Sequence, residues 1–146
     1  KLQEEDLEGI ENSISPNFLV IKKDRYYLKD RYLNHPNNSY YCDKFTNSLI
    51  IYSILSNRIN ILEFFSKNGD ITDHLKSFID LSKKANLEIQ AWCSIFDKKK
   101  YSSFIRCGFA PSNPIINCGF YPLTSFNYKT ILTHRFILSM GDTDVF

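Results

Sequence analysis

No apolar run reaches the roughly eighteen residues that a membrane-spanning helix requires, so a bilayer-embedded helical protein is excluded. No basic, then apolar, then small-residue segment opens the sequence, and a secretory leader is not expected. Methionine occurs only at Met140, and Lys1 is not an initiator, so the chain is expected to be a fragment or processed piece of a longer one. Cys42, Cys93, Cys107 and Cys118 show no Cys-x-x-Cys spacing and have no His ligands close by in sequence, which argues against a structural zinc site. Without a leader, reduced thiols and a cytoplasmic location are expected. The basic clusters, Lys22-Lys23 and Lys98-Lys99-Lys100, are short, and the net charge is only +2. A nucleic-acid surface usually needs a broader basic stripe, so no such partner is expected. No internal repeat is present.

What remains has an ordinary globular composition. The chain has 146 residues, 43% hydrophobic and 23% charged, enough for one domain with one core. The nine Tyr and twelve Phe fall mostly on strand-like and helix-like faces that need filling, so core is their default reading.

The centre of the chain runs from Arg58 to Phe109. Ile59, Ile61, Glu63 and Phe65 alternate with Asn60, Leu62 and Phe64, the pattern of a strand. Ser66-Lys67-Asn68-Gly69 breaks it. A helix is predicted from Asp70, with Ile71, Leu75, Phe78, Ile79 and Ser82 on one face. Asp70 suits its N-cap, Lys83 and Lys84 its last turn, and Asn86 its stop. Leu87 to Trp92 alternates again. Asp97 to Cys107 reads as a second helix closed by Gly108. Two strands joined through a helix are expected to be parallel neighbours. A ligand in such a unit sits beyond the carboxyl end of the first strand, here near Phe65 to Asp70.

Around this centre, Glu4 to Ser13 is predicted as a helix with Leu7 and Ile10 on one side. Phe18 to Ile21 is extended or loop-like. A second helix is predicted from Asp24, with Tyr27, Leu28, Tyr32 and Leu33 partly inward, ended by the turn at Asn34 to Asn38. Ser39 to Phe45 and Leu49 to Leu55 read as a hairpin. Ile115 to Tyr121 and Thr133 to Met140 read as final strands. His35 sits between Asn34 and Pro36 in a turn, where a hydrogen-bonding role is expected; His74 and His134 have no paired ligands at helix or strand spacing, and Asp142 with Asp144 falls short of a calcium ligand set. No metal is expected.

Two local signatures join this element order. Arg31-Tyr32-Leu33-Asn34-His35-Pro36, followed by Tyr40, is similar to an Arg-aromatic-x-x-His-Pro segment, with Asp30 where a Trp often stands. The ending Met140 to Phe146 is similar to a Gly-Asp-Ser-Asp close, and Cys107-Gly108-Phe109 to a helix-to-strand Gly-Phe corner. Together these resemble the GCN5-related N-acetyltransferase superfamily, and in particular a bacterial acetyltransferase-like group. The resemblance covers nearly the whole chain. It implies an acyl-CoA N-acyltransferase-like α/β fold over residues 1–146, a mixed sheet with helices on both faces, whose first strand would lie upstream of Lys1.

The resemblance also implies acetyl-CoA as cofactor and a small amine, such as a sugar precursor, as acceptor. Backbone around Phe64, Phe65, Lys67, Asn68 and Gly69 would hold the cofactor, with Ser94 on the next strand. Glu63 would accept the amine proton. The residue that usually protonates the leaving thiolate is a Tyr at the position of Phe104, so Tyr101, one turn earlier, would replace it. Two features depart from the pattern. Gly69 is the lone glycine of the phosphate loop, and the carboxylates of Asp70 and Asp73 stand where phosphate would go. A non-catalytic domain serving a catalytic partner domain of a longer chain is the alternative.

Overall fold

The computed structural model describes residues 1–8, 18–20, 23–36, 38–67, 70–93, 97–111 and 135–137; for 18–20 and 135–137 it describes the backbone. The fold is mixed α/β. Its main sheet has four strands: β2 (Tyr41–Phe45), β3 (Ser48–Leu55), β4 (Arg58–Ser66) and β5 (Glu88–Ala91), in the order β2-β3-β4-β5. The β2/β3 and β3/β4 pairs are antiparallel and β4/β5 is parallel, as predicted. Two-residue turns, Thr46-Asn47 and Ser56-Asn57, make the hairpins.

Helix α2 (Thr72–Lys84) joins β4 to β5, and α3 (Lys98–Arg106) follows. The stop of α2 at Asn86 is explained by its backbone: φ of 55° is a left-handed conformation that Asn tolerates better than most residues. Asp97 caps α3 by accepting a hydrogen bond from the Lys100 N–H, and Gly108, at φ 89°, turns the chain out of it.

The N-terminal part departs from expectation. Of the helix predicted over Glu4 to Ser13, the described part is a 3-10 turn, Glu4–Leu7, with Glu8 already extended; residues 9–13 lie outside the described residues. Asp6 explains the short turn: its carboxylate accepts from the Gln3 N–H and pairs with Lys44, both outside a continuing helix. Helix α1 (Arg25–Leu28) is capped by Asp24 and runs on as a π-helical turn, Lys29–Leu33. Between them lies a strand that periodicity did not single out, β1 (Phe18–Val20). It pairs in parallel with β6 (Arg135–Ile137), and among the described residues this pair is separate from the main sheet. Ile10, Ile115 to Tyr121 and the close from Met140 lie outside the described residues.

The core has two parts, one on each face of the main sheet. Leu7, Leu28 and Tyr32 pack with Leu49, Ile51, Leu62 and Phe65. On the other face Ile71, Leu75, Phe78 and Phe104 pack with Ile50, Ile59, Ile61 and Phe64. On β4 this division corrects the predicted alternation, which put Ile61, Glu63 and Phe65 on one face. A β-bulge is the cause: Tyr52 opposes Ile61 and Ile51 opposes Glu63, leaving Leu62 as an extra residue. One extra residue reverses the facing of everything beyond it. Phe64 thus joins the α2 face and Phe65 the α1 face.

Among the described residues no helix is long and apolar enough to cross a membrane, and Cys42, Cys93 and Cys107 are free thiols.

Candidate functional site

The bulge at Leu62 adjoins the point where the register of β4 and β5 ends, which we call the fork. β4 and β5 pair from Arg58↔Glu88 to Ile61↔Ala91, and their register ends there. β4 continues to Ser66, while Trp92 and Cys93 leave the strand conformation. Glu63 is the first charged residue of β4 beyond the last register pair with β5, Ile61↔Ala91.

Glu63 is only 3% exposed. Lys23 Nζ donates to both of its carboxylate oxygens, at 2.8 and 2.6 Å, and Tyr32 donates its hydroxyl to Oε1 at 2.8 Å. Lys23 is itself buried. A buried charge is tolerable only when paired and hydrogen-bonded, which is what this cluster provides. The π-helical turn carries Tyr32, whose ring meets Tyr40 edge-on at 5.1 Å, and His35 also meets Tyr40 edge-on, at 5.8 Å. Tyr32, His35 and Tyr40 line a cleft of about 240 Å³.

The carboxyl end of β4, where a ligand is expected, opens on two further clefts. One, of about 380 Å³, is lined by Phe65 and Lys67 with Phe45, Ser48 and Leu49. The other, of about 170 Å³, is lined by Ser66, Asp70, Thr72 and Asp73 with Ser48 and His74. Asn68, Gly69 and Ser94 lie outside the described residues. Phe64 is buried against His74, their rings 5.5 Å apart.

Asp70, the predicted N-cap, stands one residue outside the observed one, Ile71, since α2 begins at Thr72. It still caps: Oδ1 accepts from the Thr72 N–H at 2.9 Å and from the Thr72 hydroxyl at 2.8 Å. The Thr72 N–H, then the Thr72 hydroxyl, hold this carboxyl below the usual carboxylate range. One amide that would meet a phosphate is thus already engaged.

Tyr101 is half-buried on α3, the helix that places Phe104 in the α2-side core. Glu63 reaches the α1 side through Tyr32. The fold therefore carries these two residues on elements of opposite faces.

One cluster escaped sequence reasoning. Ser48 Oγ lies 2.7 Å from His74 Nδ1, and His74 Nε2 lies 3.0 Å from Asp43 Oδ2. Asp43 and Ser48 flank the β2–β3 turn, and His74 comes from the first turn of α2. Linear spacing hides the set. Its one sequence signal is a histidine at i+3 from Ile71 and i−4 from Phe78, on the apolar face of α2. Burial, the larger influence, holds the His74 imidazole below its ordinary value, against the opposing pull of Asp43.

Among the described residues no group of three His, Cys, Asp or Glu side chains is arranged to hold a metal ion. Comparison with protein-family models, with curated proteins and with solved structures gives no match.

Proposed function

We propose that this chain is an acyl-CoA-dependent N-acyltransferase of the GCN5-related type, acting on an amine of a small molecule or sugar precursor. The fork between β4 and β5 carries the reading. The parallel register of β4 and β5 ends at Ile61↔Ala91, beside a bulge in β4, and that is where an extended thioester arm would enter. The main-sheet order, with its one parallel pair joined through α2, supports the same family.

In this reading the thioester enters between the strands and meets side chains from both faces. That is how Glu63 and Tyr101, carried on opposite faces, serve one reaction. The amine nitrogen attacks the thioester carbonyl carbon, and a backbone N–H of β4 stabilises the oxyanion. The amine proton passes to Glu63, whose charge Lys23 and Tyr32 balance. Collapse of the intermediate breaks the C–S bond, and Tyr101 gives its proton to the departing thiolate. Lys67 supplies positive charge at the cleft by the end of β4.

The second reading, a non-catalytic domain beside a catalytic partner, is favoured by two observations. Both oxygens of Glu63 are engaged by Lys23, and Asp70 occupies the Thr72 amide. Thiol release from acetyl-CoA in the presence of a panel of amino sugars and polyamines separates the two. Amine-dependent release, lowered about a hundredfold in Glu63→Gln or Tyr101→Phe, supports the enzyme. No release above background for any amine, with no uptake of CoA by the folded chain, supports the non-catalytic domain.

A further inference from the structure

We propose that Ser48, His74 and Asp43 form a second, hydrolytic site, in which Ser48 is the nucleophile toward a small carboxylic ester with an uncharged or cationic alcohol portion. This site does not depend on the acyltransferase reading.

Three features carry it. The first is connectivity. With Nε2–H donating to the Asp43 carboxylate, Nδ1 holds the lone pair that accepts the Ser48 hydroxyl proton. That is the order of groups in a nucleophile, base and orienter relay, which is recognised by geometry and not by sequence position. The second is the state of the base. His74 has a side chain only 1% exposed, stacked on Phe45 at 5.4 Å and met edge-on by Phe64 at 5.5 Å. The rings hold its orientation, and burial favours the neutral imidazole that a base must be. Asp43, about one-third exposed, stays beside it to balance the imidazolium when it forms. The third is access. Ser48 lines both clefts at the end of the sheet, of about 380 Å³ and 170 Å³.

The clefts suggest the substrate. Phe45, Leu49 and Phe65 on the larger side suit an acyl chain. Asp70 and Asp73 on the smaller side repel an anionic alcohol portion and admit a neutral or cationic one. Lys44 and Lys67, with Asp6 and Glu8, border the larger cleft. The first turn of α2 also lines the smaller cleft, with N–H groups that a helix leaves without intrahelical partners; Asp70 takes that of Thr72.

The chemistry balances with water as the only co-reactant. Ser48 Oγ forms a bond to the ester carbonyl carbon, and its proton moves to His74 Nδ1. The tetrahedral species collapses, the carbonyl carbon–alkoxy oxygen bond breaks, and His74 returns the proton to the leaving alcohol. Water then attacks the acyl-Ser48 ester, giving its proton to His74. The acid is released, and the proton goes back to Ser48.

The test is covalent labelling of the whole chain with diisopropyl fluorophosphate, followed by peptide mass analysis, and hydrolysis of p-nitrophenyl butyrate. The expected result is one phosphoryl group per chain, on Ser48, and none on Ser48→Ala. Asp43→Asn, which keeps the shape of a partly exposed side chain, should label at least about a hundredfold more slowly, as should ester turnover. Circular dichroism confirms that both variants fold. The midpoint of the labelling rate against pH should lie below the ordinary 6.5 of a histidine, since burial disfavours the imidazolium. Absence of label on the folded chain at millimolar reagent, label on another residue, or equal labelling and turnover in Ser48→Ala would each overturn the proposal.

Discussion

Lys23 grips Glu63 through both carboxylate oxygens across forty residues of chain, inside the protein and next to the β4 bulge. The contact ties the segment before α1 to the strand that forks from β5. It is the only charged pair among the described residues with both side chains under a tenth exposed. Tyr32, from the π-helical turn, completes it.

Removing one partner leaves the other charge buried. Lys23→Met should therefore destabilise the chain by about 3–5 kcal/mol. Lys23→Met combined with Glu63→Met should cost less than Lys23→Met alone, because no uncompensated charge remains. Urea denaturation followed by circular dichroism reads both. Equal loss in the single and double variants would mean that packing, not charge, is what the pair contributes.

His74 gives stability a pH dependence of known sign. Its folded pKa lies below the ordinary 6.5, so the unfolded chain binds the proton more readily. The contribution is fully present above about pH 6.5 and is lost as pH falls from there through the lower folded value. Comparing the denaturation midpoints of the parent and His74→Gln between pH 7.5 and 5 isolates it. The parent should lose more stability on acidification than the variant.

Ser56 is the residue in the β3–β4 turn that pays for a positive φ, at 56°. Glycine adopts that conformation freely, and the first position of a two-residue hairpin loop favours it. Ser56→Gly should stabilise the fold by about 1 kcal/mol, visible as a rise in Tm. A lower Tm would show that the serine side chain contributes more than the backbone strain costs.

The described thiols that shift most are poor nucleophiles. Burial pushes Cys93 up to about 12. Burial first, then its hydrogen bond to the Asp6 carboxylate, pushes Cys42 up to about 11. At pH 8 roughly one part in ten thousand of Cys93 is thiolate. A disulfide-exchange reagent should modify both slowly in the folded chain and rapidly in urea. Fast modification of Cys93 without denaturant would contradict the burial seen at the fork.

The main sheet was legible because its signals are local. Leu49 to Leu55 and Leu87 to Ala91 announce strands, and Ile71, Leu75 and Phe78 space out the buried face of α2. Boundaries at Asp97, Asn86 and Gly108 follow from caps and left-handed backbone. What failed depends on distant partners. The bulge at Leu62 is set by pairing with Ile51 and Tyr52, so the facing of Phe64 and Phe65 could not be read from alternation. Lys23 meets Glu63, and β1 meets β6, across long separations. The Ser48, His74 and Asp43 set gathers three elements that no spacing rule joins. Glu63 was found by its place on the central strand, but its buried partners were not.

The central claim is that the β4–β5 fork takes a CoA thioester, and calorimetric titration with acetyl-CoA and with free CoA tests it most directly. The account predicts micromolar binding, weakened by Gly69→Glu and by filling the fork with Ala91→Trp. A folded chain that takes up no acetyl-CoA at millimolar concentration would contradict it.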